Sequence, residues 1–402
     1  MIERALGVWH PKTHLDGNAP RIPSPISLKN YAEWLVNFLE WAELRSVSIY
    51  TCRYEEDIKY RYEAEMLSGI WSRKGEPLAP RTINARVDHA CYFLVWMHDH
   101  DLRGSPNIPY KTVSLVRASS TNIFSTKPIK VVVRQGRLKT KTKAIRMPSD
   151  DALSIWLAAV YKRFGHTYGL ICESILCTAM RAEEILSLDE NCIDKDPSKW
   201  FIVNPTRPVE DQQIKIAISR GVKGAWGGNT DDRVKVGPER DILIPLSLAY
   251  AWHDYRRKER MKAFAHWMRN APQGRRKEHA SKAACLFLQD GSGAKITRSR
   301  LYYRWKTITP PVPGWSIHDG RNWWACAKLW RALSHAGLVN SLAEPYEGAR
   351  NAYAKDVIRL EIIPQLGHVD EDTVDAYLKW LTAMVSTPVK LKPQFRSPHN
   401  VN

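Results

Sequence analysis

Between Asp101 and Asp150 the chain carries no acidic residue, yet it carries eleven Lys and Arg residues from Arg103 to Arg146. A run of one sign repels itself and cannot close a core around its own charges. It therefore divides the 402 residues into two folding units, as expected for a chain well past the size of one core. Each lysine or arginine laid on a phosphate releases counterions and adds affinity that does not depend on sequence. Residues 116–147 accordingly read as a basic interdomain linker that contacts DNA, with Lys139, Lys141 and Lys143 among the contacts.

Apolar periodicity fills in the two sides. Residues 1–25 hold Pro11, Pro20, Pro23 and Pro25 and read as an extended arm. Residues 26–115 read as a helical domain. Leu28, Tyr31, Leu35, Phe38, Leu39 and Ala42 recur at helical spacing, a weaker helical stretch covers 49–69, and Pro80 opens a further helix. Residues 148–385 read as a larger domain that begins with the helix-capping run Ser149-Asp-Asp. Helical spacing covers 167–188, 248–268, the residues after 297, 321–337, 351–365 and 371–385. Three strand-like runs lie at 200–203, 213–218 and 241–246. Residues 386–402 are a polar tail. The fold class is mainly α with a small antiparallel β-sheet, an α+β arrangement.

The formal net charge of +18 calls for an anionic partner, either nucleic acid or an anionic membrane surface. No apolar run reaches membrane-spanning length and the first residues carry no signal-peptide pattern, so the expectation is a soluble, intracellular protein without a membrane partner. Seven scattered cysteines with no CxxC pair read as reduced, partly buried thiols. His98 and His100 read as the polar end of a helix rather than as metal ligands.

Five dispersed residues carry the chemistry. Arg181 sits in TAMRAEEILSL, His318 and Arg321 in HDGR, and His368 in LGH, with Tyr377 nine residues further on. Singly, each has a structural reading: an ion-pair partner, a cap, a half-buried packing ring. Together, in this order, they resemble the tyrosine recombinase (phage integrase) family, in its first-arginine box, its His-x-x-Arg box and its Gly-His box followed by tyrosine. In the first box Glu184 matches an acid that supports the arginine. The chain departs from the family pattern in three places: Ala179 stands where glycine is common, Gly320 replaces a bulky apolar residue, and the stretch from Arg321 to His368 is long, with an insertion expected near 340–355.

The resemblance implies a helical core-binding domain followed by an integrase-type catalytic domain. It also implies site-specific recombination of double-stranded DNA, the integration or excision of a mobile element, without cofactor, metal or ATP. Tyr377 is the implied nucleophile, forming a 3′-phosphotyrosyl link, with Arg181 and Arg321 on the phosphate oxygens. His318 is implied to accept the phenol proton, and His368 to help bind the phosphate. A hairpin lysine protonates the leaving oxygen; Lys235 fits that role, with Lys223 as competitor and Lys215 behind both. A homotetramer on paired DNA sites, accessory recombination proteins and a bacterial, nucleoid-associated setting in the cytoplasm are further implications. The residue types suit the reaction: guanidiniums hold charge that builds on non-bridging oxygens, and a tyrosine with a pKa near 10 needs a base. A type IB topoisomerase and a non-catalytic DNA-binding accessory protein are the alternatives. A two-metal transposase is disfavoured, because no carboxylate cluster has the required spacing.

Overall fold

The computed structural model describes residues 25–116, 128–140, 145, 147–218, 240–339, 344–367 and 372–385. The chain forms two compact units, one ending near residue 143 and the other holding nearly everything after it.

The first unit is a helical bundle with a β-ribbon. Helix α1 (Pro25–Leu44) is followed by a π-helical stretch (Tyr54–Glu63) that runs into α2 (Ala64–Ser68), and then by α3 (Pro80–Asp99). Pro80 occupies the first turn of α3, where its missing N–H costs nothing. Phe38, Trp41, Ile58, Tyr62, Val87 and Leu94 form the core, all essentially unexposed. Strands β1 (Tyr110–Val116) and β2 (Pro128–Arg134) then pair antiparallel, with Tyr110 opposite Arg134.

This ribbon corrects part of the linker reading. Arg134 is not a phosphate contact: it is 3% exposed, lies 3.1 Å from Asp88 and 3.2 Å from Glu63, and donates to the Tyr54 hydroxyl at 2.7 Å. Arg103 donates to the carbonyls of Ile49 and Cys52, and Arg137 pairs with Asp88. Acids from earlier helices reach into the acid-free run, which sequence spacing does not reveal. Lys139 is exposed, and Lys141 and Lys143 lie outside the described residues.

The second unit opens with α4 (Asp150–Thr178), whose first turn is capped by the Ser149 hydroxyl accepting from the Ala152 N–H. Gly165 breaks α4 into two segments with φ 80° and ψ 179°. The chain leaves α4 through Ala179 in the left-handed region and enters the short α5 (Ala182–Leu186). Strands β3 (Gln213–Ile218) and β4 (Arg240–Pro245) pair antiparallel, Gln213 opposite Pro245. The expected strand at 200–203 is reduced to a single bridge, Ile202 to Ile214. Phe201 beside it is 72% exposed, so one face of that run has nothing to pack on.

Helices α6 (Leu246–Arg257), α7 (Glu259–Arg269), α8 (Arg276–Ser281), α9 (Arg298–Thr307) and α10 (Ile317–His335) follow. Helix α11 (Glu344–Val357) occupies the long stretch after Arg321. It continues through a π-helical turn (Ile358–Ile362) into α12 (Ile363–Leu366), and α13 (Asp372–Val385) is last. The main core of the unit includes Ile171, Ile175, Trp252, Trp305, Trp323 and Leu329. Among the described residues no helix is long and apolar enough to cross a membrane.

Candidate active site

Arg181 stands at the entry to α5, just beyond the left-handed Ala179, which has φ 56°. A Cβ in that region costs about 1–2 kcal/mol, so the turn between α4 and α5 is held against strain. Glu184 does much of the holding. Its carboxylate is wholly buried and accepts from the Arg181 backbone N–H at 2.7 Å and from Arg181 Nη1 at 2.6 Å.

The same carboxylate takes a bidentate pair from Arg240 on β4, at 2.8 and 2.9 Å. Burial pushes the Glu184 carboxyl up, but the bonds and charges of Arg240 and Arg181 outweigh it and leave it below its ordinary range.

The helical run from α11 through α12 ends at residues 366–367, where its last carbonyls have no helical partner. Two guanidiniums meet them. Arg321 Nη2 donates to the Leu366 carbonyl and Arg181 Nη2 to the Gly367 carbonyl, both at 2.8 Å. The first and second boxes thus converge on two adjacent carbonyls immediately before residue 368. Gly367 sits at φ 59°, and a Cβ there would lie 3.0 Å from the Arg240 guanidinium carbon, so a side chain at this position would crowd Arg240.

Gln365 ties three parts of the site together. Its Oε1 accepts from the Leu243 N–H, and its Nε2 donates to the carbonyls of Leu243 and Thr178, all at 2.9 Å. It thereby lines the free edge of β4 and fixes the end of α4 against α12.

Helix α10 supplies the second box. Ser316 and Asp319 form a capping box at its start: the Ser316 N–H donates to Asp319 Oδ2 at 2.9 Å, and the Asp319 N–H donates back to the Ser316 hydroxyl at 3.4 Å. His318 and Arg321 follow at a spacing of three, which puts them on one face. His318 is exposed, whereas Arg321 is 2% exposed. Burial, reinforced by the neighbouring Arg181, lowers the Arg321 guanidinium to about 9, so its charge is held at a cost that an anion would relieve.

Tyr377, on α13, is 1% exposed and packs in the same core as Trp380 and Leu381. Its hydroxyl lies 3.4 Å from Asn322 Oδ1, one residue beyond Arg321. Burial drives the phenol well above its ordinary range, and the charge of Arg321 eases it back only in part.

Of the six residues picked from the sequence, Arg181, Arg321 and Tyr377 are gathered around α10 and α12, and His318 stands on the first turn of α10. Lys235 and His368 lie outside the described residues, as does Lys223. Lys215 is engaged with Asp241 at 2.5 Å. Arg240 and Gln365 were missed. The signal for Arg240 was its place at the head of the strand RDILIPL, where an arginine next to buried isoleucines needs a carboxylate. A cleft of about 400 Å³ lined by Arg207, Trp324, Arg331 and His335 includes none of these residues. An enclosed cavity is not what a site for a duplex backbone requires.

No protein-family model matches the chain, and no curated protein matches it in sequence. Solved structures do match. A structure of the Tn1549 transposon integrase, in a single-residue variant bound to circular-intermediate DNA, is similar over 93% of this chain and 94% of that one, at 14% identity and a TM-score of 0.50. The XerH site-specific recombinase in a pre-cleavage complex with its difH substrate covers 88% of this chain and 77% of its own, at 14% identity and a TM-score of 0.43. The chain therefore has the fold of the Tn1549 integrase.

Proposed function

We propose that the chain is a site-specific tyrosine recombinase, which cuts and rejoins double-stranded DNA to integrate or excise a mobile element. The observation that carries this reading is the convergence of Arg181 and Arg321 on adjacent carbonyls beside residue 368, with Tyr377 next to Arg321. The DNA bound to the Tn1549 integrase supports the substrate class.

In this reading the phenol oxygen of Tyr377 attacks the scissile phosphorus and the bond to the 5′-oxygen breaks. The phenol proton passes to His318, and Lys235 protonates the departing 5′-oxygen. Arg181 and Arg321 hold the non-bridging oxygens as charge builds there, exchanging their carbonyl partners for a stronger acceptor. His368 adds a further hydrogen bond to the phosphate. The phosphotyrosyl ester conserves the bond energy, so a 5′-hydroxyl from another strand reverses the step and joins the new pair. Four copies on two DNA sites complete the exchange.

A duplex nicked near the cleaved phosphate tests the proposal, because the short fragment diffuses away and traps the intermediate. The expected result is a covalent protein–DNA adduct in the parent chain and none in Tyr377→Phe, with duplex affinity close to the parent's. A parent chain that binds the duplex and leaves no adduct would be an accessory binder. Relaxation of supercoiled plasmid without strand exchange would instead favour the topoisomerase reading.

A further inference from the structure

Helices α7 and α8 form a hairpin that projects its own set of charges. Between Arg257 and Lys282 eight Lys and Arg side chains are exposed, against two acids, Glu259 and Glu278. The acids do little to offset them. Lys282 pairs with Glu278 at 3.2 Å and Lys258 with Asp254 at 3.7 Å, both exposed one-turn pairs, each worth only a few tenths of a kcal/mol. Arg269, Arg275, Arg276 and Lys277 sit at and around the tip, and among the described residues no ion pair involves any of them.

The hairpin is nonetheless firmly built. The Trp267 ring stacks on His279 at 4.3 Å with the planes 13° apart. Trp267 Nε1 donates to the His279 carbonyl, and His279 Nε2 donates to the Trp267 carbonyl, at 2.8 and 2.9 Å. At its base Arg260, 4% exposed, donates to the carbonyls of Cys285 and Ala283 and pairs with Glu190 at 2.5 Å. Gly293 lies so close that a Cβ would fall 2.2 Å from the Ala263 carbonyl oxygen. A separate small core of Ala263, Ala283, Cys285 and Leu288, with Phe264 and Trp267 against it, supports the pair.

A solvated charged loop needs no such scaffold. A rigid platform that presents many like charges with few counter-charges is destabilised by self-repulsion, which a polyanion removes. Three of the four tip cations are arginines, whose planar fork suits phosphate oxygens.

We infer that the α7–α8 hairpin is an auxiliary duplex-DNA contact, separate from the arginine site, which grips backbone phosphates without reading sequence. This rests on the DNA reading above. It predicts a measurable share of the salt dependence: taking one cation away from a phosphate flattens the slope of log affinity against log salt by about 0.9.

The test compares the full chain with a variant carrying Arg269→Gln, Arg275→Gln, Arg276→Gln and Lys277→Gln, and with a second in which the three arginines become lysine. Duplex affinity is measured over a salt series, and adduct formation on the nicked duplex is measured at saturating protein. The glutamine variant is expected to bind at least about tenfold more weakly at low salt, with a slope shallower by roughly 2–4, while still forming adduct. The lysine variant should keep most of the slope. Equal slopes and affinities in parent and glutamine variant, with adduct still formed, would overturn the hairpin contact and leave the recombinase reading intact. A shallower slope with no adduct in any chain, parent included, would sustain the contact and sink the recombinase reading. Weaker binding to phosphatidylserine vesicles with an unchanged DNA slope would assign the surface to a membrane and overturn the inference.

Discussion

Glu184 is the residue on which two arginines depend. It is fully buried and accepts from both Arg181 and Arg240, which lie on separate elements. Removing one partner of a buried charge network leaves the others uncompensated, typically at a cost of about 3–5 kcal/mol. Glu184→Ala should therefore lose about 3 kcal/mol or more in urea unfolding and also lose DNA cleavage, whereas Glu184→Gln, which keeps one acceptor oxygen, should lose less. Equal stability of Glu184→Ala and the parent would remove the carboxylate from this role. Arg181, Glu184 and Arg321 were legible because their local strings carry a pattern. Arg240 and Gln365 were not, since each acts on partners more than fifty positions away: Arg240 on Glu184, Gln365 on Leu243 and Thr178. The neighbours of Arg240 show that it needs a carboxylate but not which one, and nothing beside Gln365 marks its partners.

At the scale of elements, the crossing of α4, α9 and α10 explains Gly320. A Cβ at 320 would stand 3.1 Å from the Trp305 ring and 3.3 Å from a Leu176 methyl. The indole of α9 thus fills the space that a bulky residue would take in the His-x-x-Arg box. Overpacking of this kind costs about 1–3 kcal/mol. Gly320→Leu should destabilise the chain by that amount, and Trp305→Ala in the same chain should recover part of it, a non-additivity expected only of groups that share one space. Strictly additive unfolding energies would mean that the two do not compete. Helix positions were largely readable from periodicity, because the longer helices bury one face against the core of their own unit. The ribbon β1–β2 escaped notice because its strands belong to a basic run whose partners, Asp88 and Glu63, lie on earlier helices. The strand expected at 200–203 failed for the opposite reason: its alternation is real, but only Ile202 forms a bridge, to Ile214, while the Trp200 ring packs on Tyr250 instead.

At the scale of the whole molecule, the second unit closes its core around three thiols, Cys172, Cys177 and Cys326, all pushed well above their ordinary range by burial. The folded chain keeps protons that the unfolded chain releases near pH 8.5. The unfolded state then binds fewer protons, so stability is fully present below that pH and declines as pH rises above it, by up to roughly 4 kcal/mol per pH unit for three thiols. Urea midpoints should be level from pH 7 to 8 and drop steeply by pH 10, with Cys177→Ala making the decline shallower; a flat profile would show that the thiols are not protected. The net charge of +18 pointed to a polyanion from the outset, but not to which cations are committed inside the fold, as Arg134 and Arg260 are, and which stand outside it. Arg181 and Arg240 share the carboxylate of Glu184, and the guanidinium of Arg321 is buried close to that of Arg181. Three guanidiniums gathered in one recess attract small anions as well as a phosphodiester, so sulfate or inorganic phosphate in a storage buffer would compete for the very place the proposed substrate has to enter.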